Sequence, residues 1–433
     1  MRGYQEGVYS EALSILKKHK MVYMALEMRL GKTFLSLKLA EGIGAKSVLF
    51  LTKKKVIKTI EEEYDKSGLY EKFKMTVINY EQAIKFTKEK FDCVILDESH
   101  ELSAFPKPTL KAKSVKAVIK AQKENPFVIF LSGTPNPESY SQLYHQFWVT
   151  GAGPFSKYIN FYAWAKDYVR VYERYYNGHA HTDFRYAEKI KILEEIGHLM
   201  VKMSQEEAGF ENWEIKEKVI NVPLPDNISE VIRTLKSKGL WRSGRGREIV
   251  CDTSVKLLSK IHQLCSGSVI LENGETWLCS DFKVRAIKEH FHGKKIAIYY
   301  KYKGEADLIR RVYDNVVTTP QEFAEIRDSV FISQIKSGSM GINLSCADVL
   351  VFMNIDYSAT LYFQARARLG SQEREQVQEI VWVFAENGIE NKILRAVSNK
   401  KKYTLEYFRR DFEGIGTSSQ MPTVSGGLRP VWA

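Results

Sequence analysis

The chain has 433 residues, of which 44% are hydrophobic and 27% charged, with a formal net charge of +12. That is the composition of a soluble globular protein, and its length suggests about two to four domains. No apolar run approaches the ~20 residues a membrane span needs, so no membrane partner is expected. The five cysteines form no CxxC pair, which argues against a structural zinc site and fits a reducing interior. The basic excess favours a polyanionic partner, most simply nucleic acid.

In chain order, the first ~150 residues alternate short β-rich runs with amphipathic helices, the pattern of a parallel sheet flanked by helices. Expected strands are 21–26, 47–51, 75–78, 93–96 and 127–131. The first strand leads into Leu30-Gly31-Lys32-Thr33, where a helix opens. Backbone amides at such a turn form an anion-binding hollow, to which the helix N-terminus adds partial positive charge. Gly31 permits close approach of a phosphate, Lys32 places an ammonium on the β and γ phosphates, and Thr33 offers a hydroxyl to magnesium. Leu26 stands where the spaced form of this motif has its first Gly.

The run Cys93–Leu96 ends in Asp97-Glu98-Ser99-His100. Asp97 can hold magnesium, and Glu98 can orient and deprotonate an attacking water. Val128–Leu131 ends in Ser132-Gly133-Thr134-Pro135, a hydroxyl-rich turn placed to sense the γ-phosphate. Together these stretches are the parts of a nucleoside-triphosphate engine.

From about 150 to 213, aromatic residues such as Tyr158, Phe161, Trp164 and Tyr168 fall among Lys and Arg. A helical insertion is expected there, its aromatics either facing DNA or forming a core. Arg-rich 241–247 reads as a linker. Strand-like runs at 218–224, 295–300, 329–333, 349–353 and 379–384 then signal a second α/β sheet, with helices at 304–313 and 360–368. The expected division is 1–149, 150–214, 215–412 and a loose tail at 413–433.

The motifs Glu27–Thr33, Asp97–His100 and Ser132–Pro135 resemble those of the superfamily-two helicases. Within that group the chain resembles the Swi/Snf-type double-stranded DNA translocases, in the form of a compact phage-like member. The resemblance covers roughly 4–148 and 215–400. It implies an α/β fold of two RecA-like parallel-sheet domains, with ATP and Mg2+ as cofactors. Gln5 would recognise adenine, and Arg29, standing where the family has Gly, would touch phosphate or DNA. Thr52, Lys53, Asn79 and Tyr80 would face DNA. In the second domain Ser337, Gly338 and Asn343 would touch the DNA backbone and Gly341 the nucleotide. Gln364, Arg366 and Arg368 resemble the last motif, with Arg368 as the arginine finger and Arg366 as its reserve; such a finger is worth ~10³–10⁵ in rate. The spacing departs from the family pattern, because Ser371 stands at the next expected arginine.

The expected activity is therefore that of a DNA-dependent ATPase, moving on or remodelling duplex, forked or branched DNA. It would be a cytoplasmic monomer, associated with the nucleoid when bound to DNA. An RNA-dependent helicase is one alternative, although its best-known family carries different tetrads. A non-catalytic DNA-binding scaffold is another, opposed by the joint presence of Lys32, Asp97, Glu98 and Arg368.

Overall fold

A computed structural model describes residues 1–28, 30–122, 125–136, 139–176, 179–209, 216–244, 246–335, 344, 346–356, 379–401 and 429–430. The chain forms two compact units, Met1–Asn212 with Thr404–Ala433, and Trp213–Tyr403.

The first unit is built on β1 (Met21–Leu26), β2 (Ser47–Thr52), β3 (Lys74–Asn79), β4 (Cys93–Leu96), β5 (Phe127–Leu131) and β8 (Met200–Met203). They form a six-stranded sheet in the order β3-β2-β4-β5-β1-β8, parallel throughout. Alternate residues of β1 enter two different apolar clusters. Met21, Tyr23 and Ala25 meet α4 (Leu110–Lys120) and α5 (Leu143–Trp148), while Val22, Met24 and Leu26 meet α1 (Gly3–His19) and α2 (Lys32–Gly42). Both faces of the sheet are covered, so its strands read as unbroken apolar runs rather than as alternating ones.

Residues 150–209 do not stand apart as the helical region expected at 150–214. Phe155, Phe161, Trp164 and Tyr168, the last three on α6 (Phe161–Tyr168), are buried in the same cluster as β1 and β5. Next come β6 (Tyr172–Tyr176) and β7 (His179–Asp183), paired antiparallel, with Arg429–Pro430 as a third strand. Then α7 (Lys189–Ile196) leads to β8, which closes the edge of the first sheet. The expected boundary at 149/150 therefore moves to 212/213. Aromatic density here reflects core packing of a sheet-capping segment, the large apolar area of these rings being what binds it to the unit.

The second unit carries β9 (Lys216–Val222), β14 (Ile296–Tyr300), β15 (Val316–Val317), β16 (Val330–Gln334), β17 (Val349–Phe352) and β18 (Glu379–Ala385). Their order is β15-β16-β14-β17-β18-β9, again parallel throughout. On one face α10 (Phe282–His290) and α11 (Lys303–Val312) pack on Ile296, Ile298, Val349 and Val351. On the other, Tyr299 stacks on Phe352 and Phe352 on Trp382. The stretch read as a linker at 241–247 lies instead in a hairpin of β10 (Leu240–Arg242) and β11 (Glu248–Val250). Trp241 is drawn into it by stacking on Trp277 at 5.1 Å. The helix expected at 360–368 lies outside the described residues.

Candidate active site

The phosphate-binding turn follows β1. Gly31 caps α2 with φ +77°, a left-handed conformation that favours glycine. A Cβ there would also lie 2.5 Å from Gln5 Nε2, so a side chain would displace the Gln5 amide as well as strain the backbone. Gln5 Nε2 donates to Leu30 O at 3.3 Å, and its Oε1 accepts from Arg2 N at 2.9 Å. Lys32 folds back on the turn, its Nζ donating to Leu26 O and Glu27 O at 3.0 Å each. Across from it lies Gly133, whose Cβ position would be 3.7 Å from Lys32 Nζ. The lysine and the Ser132–Pro135 turn, about a hundred residues apart in sequence, thus face one another.

Asp97 follows β4. Its Oδ2 accepts from Thr52 Oγ1 at 2.7 Å, and its carbonyl accepts from Tyr80 Oη at 2.6 Å. Burial, then the neighbouring Glu98 charge, raises the Asp97 carboxyl to about 6, against the pull of Thr52 and Lys32. Lys32 and Asp97 therefore share one electrostatic site. The donor set suits a hard cation: a carboxylate at a strand end and, from Thr33, a hydroxyl on the first turn of α2. The N-terminus of α2 and the Lys32 ammonium suit a polyphosphate.

Glu98 adopts φ +48°, ψ +49°, an uncommon backbone for a residue with a side chain. Its Oε2 lies 3.2 Å from His100 Nδ1, and the same nitrogen lies 3.1 Å from Ser132 Oγ. Ser132 Oγ also accepts from Thr134 N at 3.1 Å. Burial depresses the His100 pKa, which favours the neutral ring. A carboxylate only accepts, so the Nδ1–H tautomer is the one that satisfies Glu98. One imidazole thus bridges the acidic motif and the hydroxyl-rich turn.

Beneath them lies Gln146 of α5, fully buried. Its Oε1 accepts from Tyr23 Oη at 2.6 Å and Ser99 Oγ at 3.2 Å. Its Nε2 donates to Ser103 Oγ at 2.9 Å and Pro135 O at 2.6 Å. One amide therefore ties β1, the segment after Asp97-Glu98 and the Ser132–Pro135 turn into one unit. No motif announces it; a polar residue within an apolar helix face was the one available signal.

A model of the family "Type III restriction enzyme, res subunit" matches residues 1–137, the stretch that contains all of these motifs. The chain is 31% identical over 114 residues to "DNA repair protein RAD5" of Eremothecium gossypii, covering 26% of this chain and 10% of that protein. It is 26% identical over 162 residues to "Helicase SWR1" of Saccharomyces cerevisiae, covering 35% and 10%. It is 20% identical over 201 residues to "ATP-dependent helicase fft2" of Schizosaccharomyces pombe, covering 40% and 16%. These matches support a superfamily-two ATPase of the Swi/Snf type. The matched stretches span a sixth or less of those relatives' own length.

Four residues expected to face DNA make contacts within the first unit. Thr52 is buried, its hydroxyl spent on Asp97. Tyr80 is buried and holds the Asp97 carbonyl. Asn79 is buried and caps the turn after β3, accepting from Gln82 N at 3.0 Å. Lys53 pairs with Glu101 at 2.9 Å, and Lys111 joins the same carboxylate at 2.7 Å. Burial works against ionisation of Glu101, yet Lys53 and Lys111 prevail and bring it down to about 2. Thr52 and Tyr80 thus hold Asp97, Asn79 caps the turn after β3, and Lys53 shares Glu101 with Lys111. Arg29, Ser337, Gly338, Gly341, Asn343, Gln364, Arg366 and Arg368 lie outside the described residues.

Proposed function

We propose that the chain is an ATP-dependent DNA translocase that couples ATP hydrolysis to movement on, or remodelling of, double-stranded or branched DNA. The observation that supports this most is the cluster in which Lys32 lies near both Asp97 and the Ser132–Pro135 turn while His100 links Glu98 to that turn. Gln5 reads the adenine edge. Lys32 leaves the carbonyls of Leu26 and Glu27 to reach the β and γ phosphates. Glu98 orients the attacking water and takes its proton. Magnesium, held by Thr33 and Asp97, would neutralise phosphate charge. His100 and Ser132 register whether the γ-phosphate is present, because any shift of Glu98 or Ser132 disturbs the nitrogen they share.

From the second unit, Arg368, with Arg366 in reserve and Gln364 beside them, supplies the cation that the transferring phosphoryl group needs. Gly341 approaches the nucleotide, while Ser337, Gly338 and Asn343 grip the DNA backbone. That grip is sequence-tolerant and weakens with salt, because phosphate contacts carry it. The +12 charge fits such a partner.

The deciding experiment measures ATPase turnover with magnesium and duplex DNA, forked DNA, single-stranded DNA or RNA, beside a Lys32→Ala control. Duplex or forked DNA is expected to stimulate most. Greater stimulation by RNA would favour the RNA helicase reading, and no turnover above the control would favour the scaffold.

A pH dependence follows from Asp97. Its folded pKa of about 6 lies above its ordinary value of 3.8, so its stabilising protonation is fully present below about 3.8 and is lost as pH rises through 6. Asp97 must release that proton before it holds a cation. Apparent magnesium affinity in the presence of ATP is therefore expected to fall by about tenfold per pH unit below 6 and to level off above 7. Magnesium titrations at several pH values test this; the same slope in Asp97→Asn would assign it to another group.

A further inference from the structure

The segment after β8 returns to the phosphate-binding turn, a contact no motif foretells. Glu27 N donates to Met203 O at 3.0 Å. Gln205 N donates to Glu27 Oε2 at 2.8 Å, and Gln205 Nε2 donates to Met28 O at 2.9 Å. The partners lie 178 and 177 positions apart in sequence. Gln5 holds Leu30 O. The carbonyls of Leu26 and Glu27 are taken by Lys32. Four carbonyls of this short turn thus have assigned donors, and two of those donors are glutamine side chains from opposite ends of the first unit.

This matters because a phosphate is bound by N–H groups. In a trans peptide the C=O and N–H point opposite ways, so a donor that pins the carbonyl on one side turns the N–H to the other. Gln5, acting on Leu30 O, sets the plane that carries the Gly31 N–H. Gln205, acting on Met28 O, sets the plane that follows Met28. Preorganised donors cost no rearrangement when the anion arrives.

We propose that Gln205 is a positioning residue for the phosphate-binding turn, holding its Met28 carbonyl as Gln5 holds that of Leu30, so that its amides are set for the triphosphate tail. The proposal rests on the ATP reading above. It assigns a nucleotide-site role to a residue outside every motif stretch and within the segment that leads out of the first unit.

The donor, rather than the bulk, is what the role requires. Gln205→Glu has the same shape but cannot donate when ionised, whereas Gln205→Lys donates through an ammonium. Binding of mant-ATP with magnesium and steady-state turnover are measured for both, with Gln205→Ala, wild type and Lys32→Ala. Gln205→Ala is expected to raise Kd and KM by ~2–10-fold, the worth of one hydrogen bond, with kcat and Tm unchanged. Gln205→Glu is expected to weaken binding at least as much, and Gln205→Lys to restore most of it. Wild-type Kd in both Gln205→Ala and Gln205→Glu would overturn the proposal while leaving the ATP reading intact. A lowered Tm with unchanged Kd would reduce Gln205 to a packing residue and overturn it equally. Wild-type protein that binds mant-ATP no better than Lys32→Ala would remove the ATP reading, and this inference with it.

Discussion

Glu98→Gln is expected to lower ATP turnover by ~10²–10⁴-fold, the usual worth of a positioned general base. Affinity for ATP should stay within about twofold, because the loss falls on the transition state and not on ground-state binding. The geometry motivates both halves. The Glu98 side chain leaves a backbone held at φ +48°, which a segment between β4 and the following turn must impose at some cost in free energy. Its Oε2 is oriented by His100 Nδ1 at 3.2 Å. Gln keeps the shape and a carbonyl oxygen able to accept from that nitrogen, so the fold and the phosphate-binding turn should survive. What Gln lacks is a basic oxygen to receive the water proton. Single-turnover hydrolysis beside equilibrium binding of mant-ATP separates the two effects. Unchanged turnover would move the base role from Glu98 to another group. A parallel loss of binding would mean that Glu98 supports the phosphate-binding turn instead.

Much of the sheet architecture was legible because its strands are buried on both faces. Met21–Leu26, Cys93–Leu96 and Phe127–Leu131 are continuous apolar runs, and they are strands with those bounds. The positions of Lys32 and the Asp97-Glu98 pair were legible for a related reason: each follows such a run, beyond the end of a strand of the parallel sheet. The supporting polar groups were not. The resemblance implies that Tyr80 and Thr52 face DNA, yet both are buried and bonded to Asp97. Only the parallel register, which places Thr52 beside Asn79 and Leu51 beside Leu96, brings them together. The Gln146 and Gln205 side chains reach partners as far as 123 and 177 positions away in sequence, and hydrogen-bonding capacity alone does not say where an amide will be spent. The aromatic-rich 150–209 stretch misled for a compositional reason. Rings among Lys and Arg suit a nucleic-acid surface and a core edge equally well, and burial of Trp164 and Phe155 decides for the core.

Lys283→Met is expected to destabilise the second unit by ~3–5 kcal/mol, the cost of orphaning a charge inside a protein. Lys283 Nζ lies 2.6 Å from Glu390 Oε1, and both side chains are completely buried. The same ammonium donates to Met353 O at 3.1 Å. The pair therefore joins α10, the end of β17 and the helix Glu390–Lys401 in the interior. Nearby, Glu305 accepts from the backbone N–H groups of Lys301 and Tyr302 and from Asn354 Nδ2. Burial raises its pKa and the Lys283 charge opposes the rise, so removing the ammonium penalises two carboxylates. Methionine fills most of the lysine stem's volume, which leaves lost charge rather than a cavity as the cause. In Lys283→Met/Glu390→Leu the Glu390 charge is gone and Glu305 keeps its three hydrogen-bond donors, so most of the stability should return, because an apolar pair of similar volume often matches a buried ion pair. Hydrogen exchange at the β14 and β17 amides reports on this unit alone, which avoids treating a chain of two units as a single two-state transition. Equal losses in the single and double variants would mean that shape, not charge, is what Lys283 contributes.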